Sequence, residues 1–318
     1  MSHRVQPPPG HFTRHLIGLL LGAAGIAFAP IFTVLSARPG GVGLWDAAFW
    51  RVFFGALAMG AVLGIQGRWK GAGRVSRPAR IGWWWLPGVV FAGDFWAWHW
   101  SFAHTSVANS TLLANTAILW VTLFAWLVWR ETVSRRFLGG ALVAFGGVLL
   151  LFFSSTQRAS PTGGNGLFGD VLALLTALFY ASYQLSMKYY RRDRPAPLLM
   201  TFASAVAALL LLPLALWHPD PFLPASPSGW WPLVALGVVS HAGGQGLIAW
   251  ALGGLPASLA SVLLLAQPVM TALLGVWILD QPLMPWQIAG GAVVVAGLFL
   301  AVRGRSKTVV EAAVQEAD

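Results

Sequence analysis

Phe137-Leu-Gly-Gly-Ala-Leu-Val-Ala-Phe-Gly-Gly-Val-Leu-Leu-Leu151 lies over Gln287-Ile-Ala-Gly-Gly-Ala-Val-Val-Val-Ala-Gly-Leu-Phe-Leu-Ala301 at a constant displacement of 150 residues, without a gap. The same displacement carries Trp100 onto Trp250, Leu113 onto Leu263 and Leu123 onto Leu273. One apolar segment matches another easily, but a single register held from about residue 94 to 301 marks a duplicated unit.

The composition decides what kind of unit was duplicated. The 318 residues are 57% apolar and 9% charged, with a mean hydropathy of +0.69. Soluble domains carry about a quarter charged residues, so a soluble globule is excluded. Apolar runs of bilayer length recur at 16–35, 45–65, 81–103, 107–129, 137–153, 167–188, 197–217, 230–252, 256–279 and 286–302. Ten spans divide into five per copy, and an odd number forces the second copy into the membrane upside down. The expected fold is an all-α polytopic membrane protein: ten transmembrane helices forming two inverted five-helix repeats around a central cavity. Its parts are a tail at 1–15, a first repeat at 16–153, a polar outer linker at 154–166, a second repeat at 167–303 and a tail at 304–318.

Charge placement sets the orientation. Of 20 Lys and Arg residues, only Arg38 and Arg158 fall in loops on the far side from the termini, and Arg51 lies within a span. The positive-inside bias therefore puts both termini in the cytoplasm, with the bacterial inner membrane as the expected location. The stretch from Met1 to Leu35 has the look of a secretory signal, but this charge count needs it as a retained first span. Most of the 18 Trp fall near span ends as interface anchors. The absence of cysteine removes thiolate metal sites, disulfides and thiol nucleophiles.

Asp94-Phe-Trp-Ala-Trp-His-Trp100, Thr105-Ser-Val-Ala-Asn-Ser-Thr-Leu-Leu113 and Leu255-Pro-Ala-Ser-Leu-Ala-Ser-Val-Leu-Leu-Leu-Ala-Gln-Pro268 resemble the two EamA repeats of the drug/metabolite transporter superfamily, over residues 16–303. The resemblance implies export of amino acids or other small metabolites, or exchange of nucleotide sugars and sugar phosphates. The family commonly has a Pro in the fourth and ninth helices and a Glu after each. Here Ile118 stands at the first Pro position and Pro268 at the second, while Glu131 is kept and Gln281 replaces its mate. A Glu needed only once fits a capping or gate-hinge role at the membrane edge.

Polar groups at membrane depth are costly and mark candidate sites. Arg51 and Asp94 both fall roughly 10 Å below the outer surface at 1.5 Å per residue, which makes them candidates for an ion pair; the alternative is that Arg51 snorkels to the outer headgroups while Asp94 is protonated or faces a hydrated cavity. Asp94, Trp98 and Ser101 share a face of the third helix, and Asn115 projects from the fourth. Tyr180 with Gln184, and His241 with Gln245, are i, i+4 pairs; Gln267 sits beside Pro268. These side chains are the expected cavity lining. His99 and His104 read as interfacial, and no metal site or cofactor is expected. Pro30 and Pro268 are candidate hinges.

The function these features point to is a secondary carrier for a small metabolite, most of all amino acid export, working by alternating access. Asp94 and His241 offer routes for proton coupling. An exchanger of nucleotide sugars or sugar phosphates is the alternative within that class. A structural subunit would leave the inverted duplication without a purpose. An intramembrane enzyme would need a nucleophile with its base, or a carboxylate pair; neither HExxH nor GxSxG occurs. The chain has no Walker loop, and its basic loops suit lipid headgroups rather than nucleic acid. The small-molecule substrate and the bilayer are its expected partners; a monomer suffices.

Overall fold

The computed structural model describes residues 11–67, 83–102, 104–105, 107–131, 133–152, 166–280 and 282–304. Gln281, nearly all of the 154–166 linker and most of both tails lie outside the described residues. Helices form throughout, and no strand occurs among the described residues. Eight stretches are long and apolar enough to cross a bilayer. They are α1 (Phe12–Ser36), α2 (Leu44–Ile65), α4 (Ser110–Leu127), α6 (Gly166–Tyr190), α7 (Ala196–Trp217), α8 (Pro227–Leu252), α9 (Ala257–Leu279) and α10 (Pro285–Arg303). Two further helices of 17 and 18 residues, α3 (Leu86–Phe102) and α5 (Arg135–Phe152), complete the order.

The inversion is visible in how α5 meets α10. A Cβ added to Gly147 would stand 2.5 Å from the Val294 amide nitrogen, and Gly140 faces Ala301. In return, Gly290 meets Leu151 at 2.7 Å and Gly297 meets Ala144. As numbers rise along one helix they fall along the other, so the fifth helices of the two repeats run antiparallel. Small residues let the backbones touch, the usual basis of helix association in lipid. The other contacts are paired in the same way: α1 packs on α8 as α6 packs on α3, and α2 packs on α7, its own mate.

Three helices are interrupted, and proline does not explain the pattern. α4 breaks at Asn115–Thr116 between pieces ending at Ala114 and starting at Ala117. α9 breaks at the matching place, between Leu263 and Ala266. Pro268 follows the second break, but Ile118 follows the first. In α4 the Asn115 amide donates to the Thr111 carbonyl at 2.8 Å and the Thr116 hydroxyl to Leu113 at 2.6 Å, drawing carbonyls out of the regular ladder. Pro268, buried, occupies a place where the ladder is tightened in both repeats. α1 breaks at Phe28, and Pro30 opens its second piece, exposed.

The two-fold relation fails in one place. At the end of the bundle carrying the chain termini, the second half of α4 packs on the first half of α9. Ala117, Val121, Ala125 and Ala257 form a small apolar seam there with Ala177 and Ala181 of α6. The two-fold-related pair at the opposite end, the first half of α4 and the second half of α9, packs at most weakly among the described residues.

Candidate functional site

Arg51 lies about two turns into α2 and is only 8% exposed. Its guanidinium sits 5.0 Å from the centroid of the Phe95 ring on α3, and its Nε has no hydrogen-bond partner. Asp94 is half-buried beside Phe95, close enough for the two charges to feel one another. They do not close an ion pair: no Arg51 nitrogen comes within 4.0 Å of an Asp94 oxygen. Matched depth brought the residues to the same level, and helix rotation left them apart. Tyr180, like Asp94, is half-buried.

An aromatic column connects the two repeats. Phe91 lies 4.8 Å from Phe95, stacks on Tyr183 of α6 at 4.2 Å and on His241 of α8 at 5.5 Å. Phe91 and His241 occupy equivalent positions, so the contact falls on the pseudo-two-fold axis. His241 is fully buried; its Nε2 is 2.7 Å from the Ser204 hydroxyl of α7, and its Nδ1 has no partner. The ring fits because α2 carries Gly55, where a Cβ would come 2.8 Å from the imidazole Cγ. Leu236–Gln245 of α8 is wound as a π-helix, a form that recurs at functional sites, and it carries Ser240, His241 and Gln245.

Gln245 Oε1, Gln267 Nε2 and Gln184 Oε1 are buried without a hydrogen-bond partner. Unsatisfied buried amides cost about 1–3 kcal/mol each, so this cluster stores a demand for an outside donor or acceptor. Trp98 is half-buried one turn after Asp94. Two expected lining residues are occupied locally. Ser101 donates to the Trp98 carbonyl at 2.6 Å and bonds the Ser110 hydroxyl, joining α3 to α4. Asn115, half-buried, spends its amide on Thr111.

His99 is not interfacial. It is 6% exposed, with Nδ1 donating to the Phe95 carbonyl at 2.8 Å and its ring 5.6 Å from Trp45. Ser204, Phe91, Tyr183 and the fully buried Asp46 in the first turn of α2 belong to the polar interior or its borders and were not singled out from sequence. For Phe91 and Phe95 a signal existed, an i, i+4 aromatic pair bracketing Asp94 on the same helix.

At the terminus-bearing end, Glu131 reaches across to the start of α9. Its carboxylate accepts from the Ala257 amide at 2.9 Å, the Ser258 amide at 3.2 Å and the Ser258 hydroxyl at 2.6 Å. This is an N-cap supplied from the other repeat, favoured by the helix dipole. Beside it, Lys188 donates to the Leu255 carbonyl at 2.9 Å and Arg191 to the Ala249 carbonyl at 3.1 Å. Two apolar grooves of about 620 and 440 Å³ lie elsewhere, between α9 and α10 and between α4 and α5. They are mates under the repeat, lined by residues such as Leu273 and Leu123, and open sideways away from the polar cluster.

Among the described residues no group of three His, Asp or Glu side chains could hold a metal ion. The family model described as EamA-like transporter family matches residues 15–153 and again 167–303. The uncharacterised transporter YwfM of Bacillus subtilis is 27% identical over 62% of this chain, which spans 64% of that relative's length. An uncharacterised protein of Pseudomonas aeruginosa is 30% identical over 80% of this chain and 83% of its own. A solved crystal structure superposes with a TM-score of 0.74 at 21% identity, covering 94% of this chain and 99% of that one, a likeness of fold.

Proposed function

Because this chain belongs to the EamA-like transporter family, we propose that it is a secondary carrier that exports a small metabolite, an amino acid first among candidates, across the bacterial inner membrane. Both termini lie in the cytoplasm in this proposal, in keeping with the positive-inside bias. The observation that carries it is the cluster of buried, unsatisfied polar groups supplied by both repeats: Arg51 from the first, and Gln184, His241 and Gln245 from the second. Such groups are kept at membrane depth where they serve a passing solute.

The failure of two-fold symmetry supports alternating access. The cytoplasmic seam between α4 and α9 is packed, and the Glu131 cap ties it. Its mate at the other end packs at most weakly among the described residues. Exchanging the roles of the repeats would produce the opposite state. Asp94 and His241 remain the groups through which protons would be coupled.

Purified protein in liposomes, offered labelled amino acids, sugars and nucleotides with and without a pH gradient, tests the proposal. Uptake of an amino acid that depends on Asp94 is expected. If nothing crosses while a chemical product accumulates, the chain works as an enzyme instead; uptake indifferent to the gradient removes proton coupling.

A further inference from the structure

A guanidinium held inside a membrane bundle must be compensated, because burying an uncancelled charge costs several kcal/mol even after local relaxation. Beyond the Phe95 ring and the more distant Asp94 charge, Arg51 has no hydrogen bond or ion pair among the described residues to supply that compensation. It is 92% buried by its 8% exposure, its Nε is bare, and the nearest carboxylate, Asp94, stands beyond ion-pair distance. Snorkelling does not rescue it, since the Phe95 ring lies over the guanidinium at 5.0 Å and holds it in the interior. The N–H edge of a guanidinium is the part that binds a planar oxyanion through two parallel N–H bonds.

We propose that Arg51 is the receptor for a carboxylate carried by the transported molecule. Asp94, unpaired on the neighbouring helix, offers the complementary contact for an ammonium group, and the column of Phe91 and Phe95 flanks an apolar body. His241 Nδ1 and Gln245 Oε1 on α8 are unpartnered too and offer further polar contacts. The assignment rests on the proposal that this cluster takes the cargo, and it narrows that cargo to molecules bearing an acid.

Binding to the purified full chain in detergent, followed by the shift of its thermal midpoint, tests this without any transport step. The probes are the twenty amino acids, their carboxamides, their counterparts lacking the amino group, and a set of sugar phosphates. At least one acid should raise the midpoint, its carboxamide needing a concentration at least about thirtyfold higher for the same shift. Arg51→Gln should erase that preference; Arg51→Lys, which keeps a cation, should preserve it at reduced affinity. If Arg51→Gln does not fold, the wild-type preference and Arg51→Lys still decide. Amides as effective as acids, acid preference surviving in Arg51→Gln, shifts from sugar phosphates alone, or no acid giving a shift would each overturn the assignment. A chain that binds acids but moves none in liposomes would sink the carrier proposal and leave the receptor standing.

Discussion

Replacing Glu131 with Ala removes three acceptor contacts at once, to the amides of Ala257 and Ser258 and to the Ser258 hydroxyl. Loss of an N-cap costs about 0.5–2 kcal/mol, and hydrogen bonds to a charged group about 1.5–3 kcal/mol each before solvent discounts them. Glu131 is half-buried, so a net effect of about 2 kcal/mol on the packed cytoplasmic seam is the reasonable magnitude. On the proposed alternating-access reading the contact joins the two repeats only when that seam is shut, so its loss moves the equilibrium toward the cytoplasm-open state about thirtyfold. The chain contains no cysteine, which makes the measurement clean. Ala125, fully buried in the seam, is changed to Cys and its alkylation by a membrane-impermeant maleimide is timed from the cytoplasmic side of inside-out vesicles. Glu131→Ala should accelerate labelling by about thirtyfold, and Glu131→Asp by less. Equal rates in a folded Glu131→Ala protein would refute the latch, and with it the inference that this end is the closed one.

Gly147→Ala should lower the thermal midpoint by the equivalent of about 1–3 kcal/mol, because its Cβ meets the Val294 backbone, whereas Gly146→Ala on the same helix meets nothing within 4 Å and should be neutral. Unfolding curves that rank the two alike would deny the close α5–α10 crossing. Ser204→Ala strips the His241 Nε2 of its partner in a fully buried site and should cost about 1–3 kcal/mol, read from the same curves; an unchanged midpoint would mean the bond carries no weight. The exchange Arg51→Asp with Asp94→Arg should fail to recover substrate uptake lost in each single variant, since the side chains do not touch one another. Recovery would show that they pair in some other state of the cycle.

Much of the scaffold was legible because one register, 150 residues apart, fixes both the copy number and, through an odd span count, the inversion. The helix interruptions were not. Pro268 pointed to a break in α9, but the same break in α4 is built from Asn115 and Thr116 side chains bonding backwards, a local competition that no periodicity displays. The π-wound segment of α8 was equally hidden, because widening a turn leaves the residue types unchanged. For the site, depth could be counted along Arg51 and Asp94, whereas helix rotation depends on packing, and so the pair came out adjacent rather than bonded. Ser101 shows the opposite failure: its spacing suited the lining, but the Ser110 hydroxyl of the next helix claimed it.

The α5–α10 crossing treats each repeat identically, yet the polar interior does not. The place on α7 that matches Arg51 is Ala203, since Gly88 lies on Ala203 and Val206 as Gly237 lies on Arg51 and Phe54; the position equivalent to Asp94 is Gly244, and His241 stacks on Phe91. Joining the two copies in one chain let the scaffold remain self-complementary while the chemistry drifted to one side. A cargo entering such a chamber meets a single handed arrangement of charges, and it must therefore ride in one orientation whichever door is open.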